Sequence, residues 1–193
     1  MKLKLCLLLA ALLAGGCDRE TSGPRVGVYD HPQVGLVVID AQKSFLDDKD
    51  GELLALVQQL IEGAPGLGVD VIYVQSERGG EFDPRLRGTH EPVFPKKRFD
   101  ALSNPDLDAY LHAREIDHLV LVGARADSSI YYTALGAKNR GYNVAVVGDA
   151  VAAGTAEGRD SSLEALRRRG VEIISSERAL AEWTRRKKYL SSR

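Results

Sequence analysis

The acidic residue Asp40 stands directly after an apolar and mostly β-branched run, VGLVVI, at residues 34–39. Such a run is typical of a strand that is buried on both faces, as in a parallel sheet. Open parallel sheets bind ligands beyond the carboxyl ends of their strands, so we expect the Asp40 side chain at the lip of a crevice. A carboxylate there serves either as a general acid or base or as a structural anchor for the next loop.

A second polar cluster stands at the start of a helix predicted for residues 128–140, which follows a strand predicted for residues 118–123. The oxygens of Asp127 and Ser129 are of the kind that cap free backbone N–H groups at a helix start. The same helix start directs N–H groups and the positive end of the helix dipole toward the crevice. The residue types alone therefore allow both a helix cap and a site for a carbonyl oxygen or a carboxylate.

The size and charge of the chain fit a single globular domain. The chain has 193 residues, of which 44% are hydrophobic, and its 26 Lys and Arg residues against 27 Asp and Glu residues give a net charge of −1. This length is ample for a core. The balanced charge argues against nucleic acid as a main partner.

The first 16 residues have the pattern of a secretory signal. Lys2 and Lys4 precede a short apolar run that ends in small residues before Cys17. The segment LAGGC resembles a bacterial lipobox, in which the cysteine becomes the lipidated first residue. We therefore predict a lipid anchor at Cys17 and a location in the bacterial cell envelope. The alternative is cleavage near Gly16, which would release a soluble periplasmic or secreted protein.

Residues 17–32 are polar and contain several Gly and Pro residues, so we interpret them as a tether to a domain at residues 33–193. Cys6 is lost with the signal, which leaves Cys17 as the one cysteine of the mature chain. The predicted domain therefore holds no thiol nucleophile and no internal disulfide.

Strand and helix patterns alternate along this domain, with a long irregular segment at residues 77–100. The alternation predicts βαβ units and an α/β fold of three layers, with an open and mainly parallel sheet between helices. The predicted strands are residues 34–39, 69–75, 118–123, 143–149 and 171–175, and the predicted helices are residues 52–64, 105–114, 128–140, 160–169 and 176–188.

Three segments, VVIDAQKSF, FPKKRFDAL and VGARADSSIYYTALGAKNRGYNVAVVGDAVA, match known motifs in order and spacing. Together they resemble the isochorismatase-like hydrolase family, which includes nicotinamidases and N-carbamoylsarcosine amidases. The resemblance implies a sheet in the strand order 3-2-1-4-5-6 with helices on both faces. Our pattern yields five strands, and a sixth is expected elsewhere in the chain.

The resemblance also implies roles for three residues. Asp40 stands at the position of the catalytic carboxylate, and Lys96 stands at that of the catalytic lysine, with Lys97 as the alternative. Ser129 stands where the family has its nucleophilic cysteine. In relatives a peptide bond two or three residues before the nucleophile is often cis. Further positions that the resemblance assigns to the substrate pocket are Gln42, Phe45, Ala126, Asp127 and Ser128.

The serine leaves the activity open. A serine hydroxyl is far less acidic than a thiol and needs a well-placed base. One interpretation is a hydrolase for a small amide or a related carbonyl compound, with Asp40 as base, Lys96 stabilising charge and Ser129 as nucleophile. A second route is protonation of a vinyl ether by Asp40, as the resemblance implies for isochorismatases. The alternative function is an envelope lipoprotein that has lost catalysis and keeps the pocket as a binding site.

We predict no metal and no other cofactor. Nicotinamidase relatives bind a metal through an Asp-x-His pair and a further His, whereas the region after the second predicted strand contains only His90. The expected partners are a small-molecule substrate and, through the lipid anchor, a membrane. Because relatives commonly assemble as dimers or tetramers, the resemblance also allows a homo-oligomer.

Overall fold

Six parallel strands form one sheet in the order β3-β2-β1-β4-β5-β6. The computed structural model describes residues 33–88, 90 and 92–192, and every strand pair within them is parallel. The predictions for residues 1–16, Cys17 and residues 17–32 fall outside the described residues. The strands are β1 (Gln33–Ile39), β2 (Asp70–Ser76), β3 (Val93–Lys96), β4 (Ile116–Ala124), β5 (Asn143–Ala152) and β6 (Glu172–Ile174).

Helices cover both faces of this sheet. Successive side chains of a strand point to opposite faces, so Leu36 and Val38 of β1 enter one core cluster and Val37 and Ile39 enter the other. The two-sided burial explains the unbroken apolar run, and the predicted three-layer fold is confirmed. The helices are α1 (Gly51–Gly66) and α5 (Ser176–Ser191) on the first face, and α2 (Pro105–Ala113), α3 (Tyr131–Asn139) and α4 (Ala156–Arg168) on the second.

Strand β3 is the sixth strand that the pattern did not locate. It lies inside the segment predicted as irregular, has only four residues, and pairs with β2 alone at one edge of the sheet. Pro95 weakens the strand pattern, yet an edge strand tolerates proline because one side of its backbone needs no partner. The strand matters for function because it ends at Lys96.

Several helix boundaries also differ from the predictions, and those of α1 and α4 have clear causes. Helix α1 continues through Gly63 and Pro65 to Gly66, since the buried residue Ala64 extends its packed face. Helix α4 begins at Ala156 because the Thr155 side chain accepts a hydrogen bond from Gly158 N at 3.0 Å. The first turn of α4 carries no apolar periodicity, so the pattern placed its start too late.

Candidate active site

Asp40 follows β1 in a backbone conformation that few non-glycine residues adopt. Its φ of 46° lies in the left-handed region, which is strained for a residue with a Cβ. The main chain holds it there, since Asp40 N donates to Val74 O at 2.9 Å and Gln42 N donates to Asp40 O at 2.7 Å. The side chain is buried, with the residue only 3% exposed.

Lys96 reaches this carboxylate from the end of the edge strand β3. Its Nζ lies 2.7 Å from Asp40 Oδ2, and the side chains of both residues are 4% exposed. The Nζ also donates to Ser129 Oγ at 3.0 Å and to the Arg98 carbonyl at 3.2 Å. A lysine ammonium has three N–H donors, so these three acceptors satisfy it completely.

Ser129 completes a triangle of three side chains. It lies in a short π-helical turn, Ala126–Ile130, that leads into α3. Its Oγ donates to Asp40 Oδ2 at 2.6 Å while it accepts from Lys96. One carboxylate oxygen therefore receives both the hydroxyl proton and the ammonium. This is the arrangement in which a carboxylate can take the hydroxyl proton as the oxygen attacks a carbon.

The other carboxylate oxygen, Asp40 Oδ1, is buried and has no hydrogen-bond partner within the described part of the chain. Buried carboxylate oxygens are normally satisfied, because an unpaired one loses its hydration without compensation. The atom is thus a buried acceptor without a partner among these residues, directly beside the triangle.

The end of β4 brings the Ser129 turn close to Asp40. Gly123 pairs with Ile39 and has a φ of 110°, and a Cβ built on it would lie 2.1 Å from Ile39 O. The cis peptide bond of this region joins Ala124 to Arg125. It lies further from Ser129 than the two or three residues that we expected.

The predicted pocket residue Gln42 has its amide group fully engaged by the main chain. Its Nε2 donates to the carbonyls of Ser76 and Gly80, and its Oε1 accepts from Ser76 N at 2.8 Å. Gln42 is completely buried, so it shapes the site by joining the ends of β1 and β2. The partly buried Phe45 packs beside it, and a Cβ on Gly79 would lie 2.5 Å from both side chains.

The other predicted positions surround Ser129 to different degrees. Ala126 is fully buried and Ser128 is half-buried, whereas Asp127 is exposed and pairs with Arg125 at 2.9 Å. The Lys97 side chain is 81% exposed and lies 3.7 Å from Glu77. The structure therefore brings Lys96, and not Lys97, to Asp40.

The segment after β2 is fixed by a second carboxylate. Asp83 accepts from Arg85 Nε at 2.8 Å and from Arg85 Nη2 at 2.7 Å, and its side chain is 4% exposed. The hydrogen bonds from Arg85 lower the pKa of Asp83, while burial acts in the opposite direction. The guanidinium of Arg85 is thus engaged in holding this loop and is not free for a substrate.

Sequence reasoning missed one contributor to the triangle, the Arg98 carbonyl. It is a backbone atom, so no residue type marks it, and only the closeness of Arg98 to Lys96 could have suggested it. A separate open cleft lies between the start of α1 and the β5–β6 edge, lined in part by Lys49, Arg159 and Arg167. None of the predicted site residues lines that cleft.

The described residues contain neither a metal-binding cluster nor a membrane-spanning helix. No group of three or more His, Cys, Asp or Glu side chains among them is placed to hold a metal ion. No helix within residues 33–88 and 92–192 has the length and apolar character to cross a bilayer.

Residues 34–178 match the isochorismatase domain family. Isochorismatase domain-containing protein 1 of Danio rerio is 32% identical over 139 residues, which are 68% of this chain and 48% of that protein. The chain thus spans about half the length of this curated relative, and also of its Salmo salar counterpart, which is 30% identical.

Solved structures share the fold at lower identity. An isochorismatase-like hydrolase from Alkaliphilus metalliredigens has a TM-score of 0.72 at 22% identity, covering 78% of this chain and 99% of its own. A cysteine hydrolase from Pseudomonas syringae pv. phaseolicola has a TM-score of 0.74 at 18% identity, covering 80% and 93%. The nicotinamidase of Staphylococcus aureus has a TM-score of 0.68 at 20% identity, covering 75% and 100%.

Proposed function

This chain belongs to the isochorismatase domain family, and we propose that it hydrolyses a small amide or a related carbonyl compound through Asp40, Lys96 and Ser129. The family is one of hydrolases that act on small molecules. The observation that carries the proposal is the shared contact at Asp40 Oδ2, which receives the Ser129 hydroxyl at 2.6 Å and the Lys96 ammonium at 2.7 Å.

In the proposed reaction Ser129 Oγ attacks the carbonyl carbon while its proton passes to Asp40 Oδ2. The positive charge of Lys96 favours the developing oxygen anion, because a charge in a buried site is weakly screened. Asp40 then returns the proton to the leaving amine as the C–N bond breaks.

An ester of Ser129 remains after this step. A water molecule attacks the ester carbon, Asp40 accepts the water proton, and Ser129 recovers its own proton as the carboxylic acid leaves. The unpaired acceptor Asp40 Oδ1 matches a substrate that carries an N–H donor, as an amide does and an ester does not. This atom is our reason for placing amides first among carbonyl substrates.

The test is turnover of nicotinamide and a panel of small primary amides by the purified chain, followed as ammonia release. We expect Ser129→Ala to lower kcat by about a thousandfold or more, since it removes the attacking atom. Asp40→Asn is expected to have a similar effect, because the amide cannot accept the proton. Lys97→Met is the matched control and should stay within about twofold, as surface substitutions usually do.

Two results would replace this proposal. Activity that survives in Ser129→Ala and disappears in Asp40→Asn would make Asp40 the acid in a proton transfer, and a vinyl ether would then be the substrate to test. Activity that appears only in Ser129→Cys would mean a family pocket without its nucleophile, and a binding role would follow.

We also propose that the protein is exported and lipid-anchored at Cys17 in the bacterial cell envelope. The support is in the sequence, where a charged start, a short apolar run and the segment LAGGC precede a polar tether. In this setting the hydrolase would act on small molecules outside the cytoplasm.

A further inference from the structure

Four residues at and after the Ser129 turn stand at a spacing of four, three and four positions: Ser129, Thr133, Gly136 and Arg140. This spacing places side chains on one side of a helix. Ser129 contacts Lys96 from this side. The other three contact the chain that follows Lys96, and their contacts carry no role in the reaction proposed above.

Thr133 makes the closest of these contacts, through the hydroxyl group of a buried side chain. Thr133 is 1% exposed, and its Oγ1 accepts from Ala101 N at 2.9 Å and donates to Phe99 O at 3.3 Å. One side chain therefore holds the main chain on both sides of Asp100. The Arg98 carbonyl lies one peptide unit before the Phe99 carbonyl, so Thr133 anchors the main chain directly beside it.

The next two residues of the row support the same segment. A Cβ on Gly136 would lie 2.5 Å from Asp100 Oδ2, so the helix surface there fits closely against the segment. Arg140 donates from Nη1 to Asp100 Oδ2 at 3.3 Å and from Nη2 to the Leu102 carbonyl at 3.0 Å. The chain from Phe99 to Leu102 is thus held along one side of α3.

Lys96 needs such support because its strand supplies little. Strand β3 has four residues and pairs only with β2, and Lys96 is its last residue. The long lysine side chain has many rotamers and loses considerable entropy when it is held in one of them. The Arg98 carbonyl, 3.2 Å from Nζ, is the one acceptor of the ammonium that belongs to the lysine's own segment.

We propose that Thr133 is a positioning residue, which fixes the Arg98 carbonyl and thereby holds the Lys96 ammonium between Asp40 and Ser129. Helix α3 then sets both partners of Asp40, since its leading turn carries Ser129 and its first turn anchors the lysine segment. The proposal rests on the proposed function only in taking these three residues as the site.

The test measures the ammonium without requiring turnover. The parent variant is the full chain with three substitutions combined: Cys6→Ser, Cys17→Ser and Ser129→Cys. It contains one thiol, at position 129. Its rate of alkylation by iodoacetamide is measured against pH, because only the thiolate reacts. A free thiol has a pKa of about 8.5, and a neighbouring ammonium lowers it. The titratable groups that face position 129 are Asp40 and Lys96.

We expect Thr133→Val, which keeps the shape and removes the hydroxyl, to raise the midpoint of this profile by about one pH unit. Below the midpoint that change is about a tenfold fall in alkylation rate. Thr133→Ser keeps the hydroxyl and should restore the original midpoint. Lys96→Met gives the upper limit, because it removes the ammonium itself.

A Thr133→Val midpoint within about 0.2 unit of that of the parent would overturn the proposal, as would an equal shift in Thr133→Ser. Should Thr133→Val fail to fold by circular dichroism, Thr133→Ala carries the test. It also removes the hydroxyl that contacts Phe99 and Ala101, so we expect a rise in the same direction, and an unchanged midpoint would overturn the proposal. Because the thiol reports on the ammonium directly, a shift without amide turnover would leave this inference standing while the proposed function fails.

Discussion

The Asp40–Lys96 pair should matter for stability as well as for the proposed chemistry, since both charges are almost fully removed from water. We predict that Lys96→Met lowers the free energy of unfolding by about 3–5 kcal/mol, because it leaves a buried carboxylate without its cation. Lys97→Met is the matched control, with a side chain that is 81% exposed, and should change little. Urea unfolding followed by circular dichroism measures both.

A double-mutant cycle separates the charge effect from lost packing. Asp40→Asn together with Lys96→Met removes both charges, so the double variant should be more stable than the sum of the two single losses predicts, by at least about 1 kcal/mol. Strictly additive losses would contradict the view that the pair acts as one buried unit.

Much of the triangle was predictable, and the exceptions have physical reasons. Asp40 follows a strand that its apolar run reveals, so its place at the carboxyl edge follows from the sequence. The choice between Lys96 and Lys97 did not follow from the sequence. Neighbouring residues of a strand point to opposite sides, and this strand was not predicted. Gln42 was expected near a ligand, but a glutamine amide serves main-chain partners equally well, and residue type does not distinguish the two.

At the scale of elements, the site depends on how closely β4 approaches β1. We predict that Gly123→Ala destabilises the fold by about 3 kcal/mol or more, because its Cβ would overlap a main-chain oxygen and its backbone is left-handed. A Cβ added to Gly123 would lie 2.1 Å from Ile39 O, and the φ of Gly123 is 110°. Thermal unfolding measures the loss.

Gly66→Ala is the control for this substitution, since a Cβ there would meet nothing within 4 Å and the residue lies in the last turn of α1. Alanine favours helix by up to about 1 kcal/mol over glycine, so this variant should be as stable as the parent or slightly more stable. Equal losses in the two variants would mean that close approach at Gly123 is not the cause.

Elements with strong patterns were predicted and weakly patterned ones were not. Strands β1 and β4 are long, central and buried on both faces, so their apolar runs identify them. Strand β3 has four residues, a proline and one neighbour, and its strand character comes from pairing with β2. Pairing between distant segments is a tertiary effect, which local propensity does not carry.

At the scale of the whole molecule, the proposed lipid anchor makes a prediction that does not depend on activity. In a bacterial host fed an alkyne-bearing fatty acid, the full chain should take up the label and sediment with membranes. Cys17→Ala should lose the label and enter the soluble fraction, whereas Cys6→Ala should behave as the parent. Label that persists in Cys17→Ala would rule out that residue as the attachment point.

The direction of β1 gives such an anchored molecule an orientation. The strand starts at Gln33 and carries Asp40 directly after Ile39, so the first described residue and the carboxylate lie roughly 20 Å apart along the strand axis. A chain anchored through residues that precede Gln33 would therefore be attached at the end of the sheet opposite to Asp40. Water-soluble compounds could then reach Asp40 without crossing headgroups, and lengthening residues 17–32 would change how far from the bilayer the proposed hydrolase lies while leaving its reaction rate unchanged.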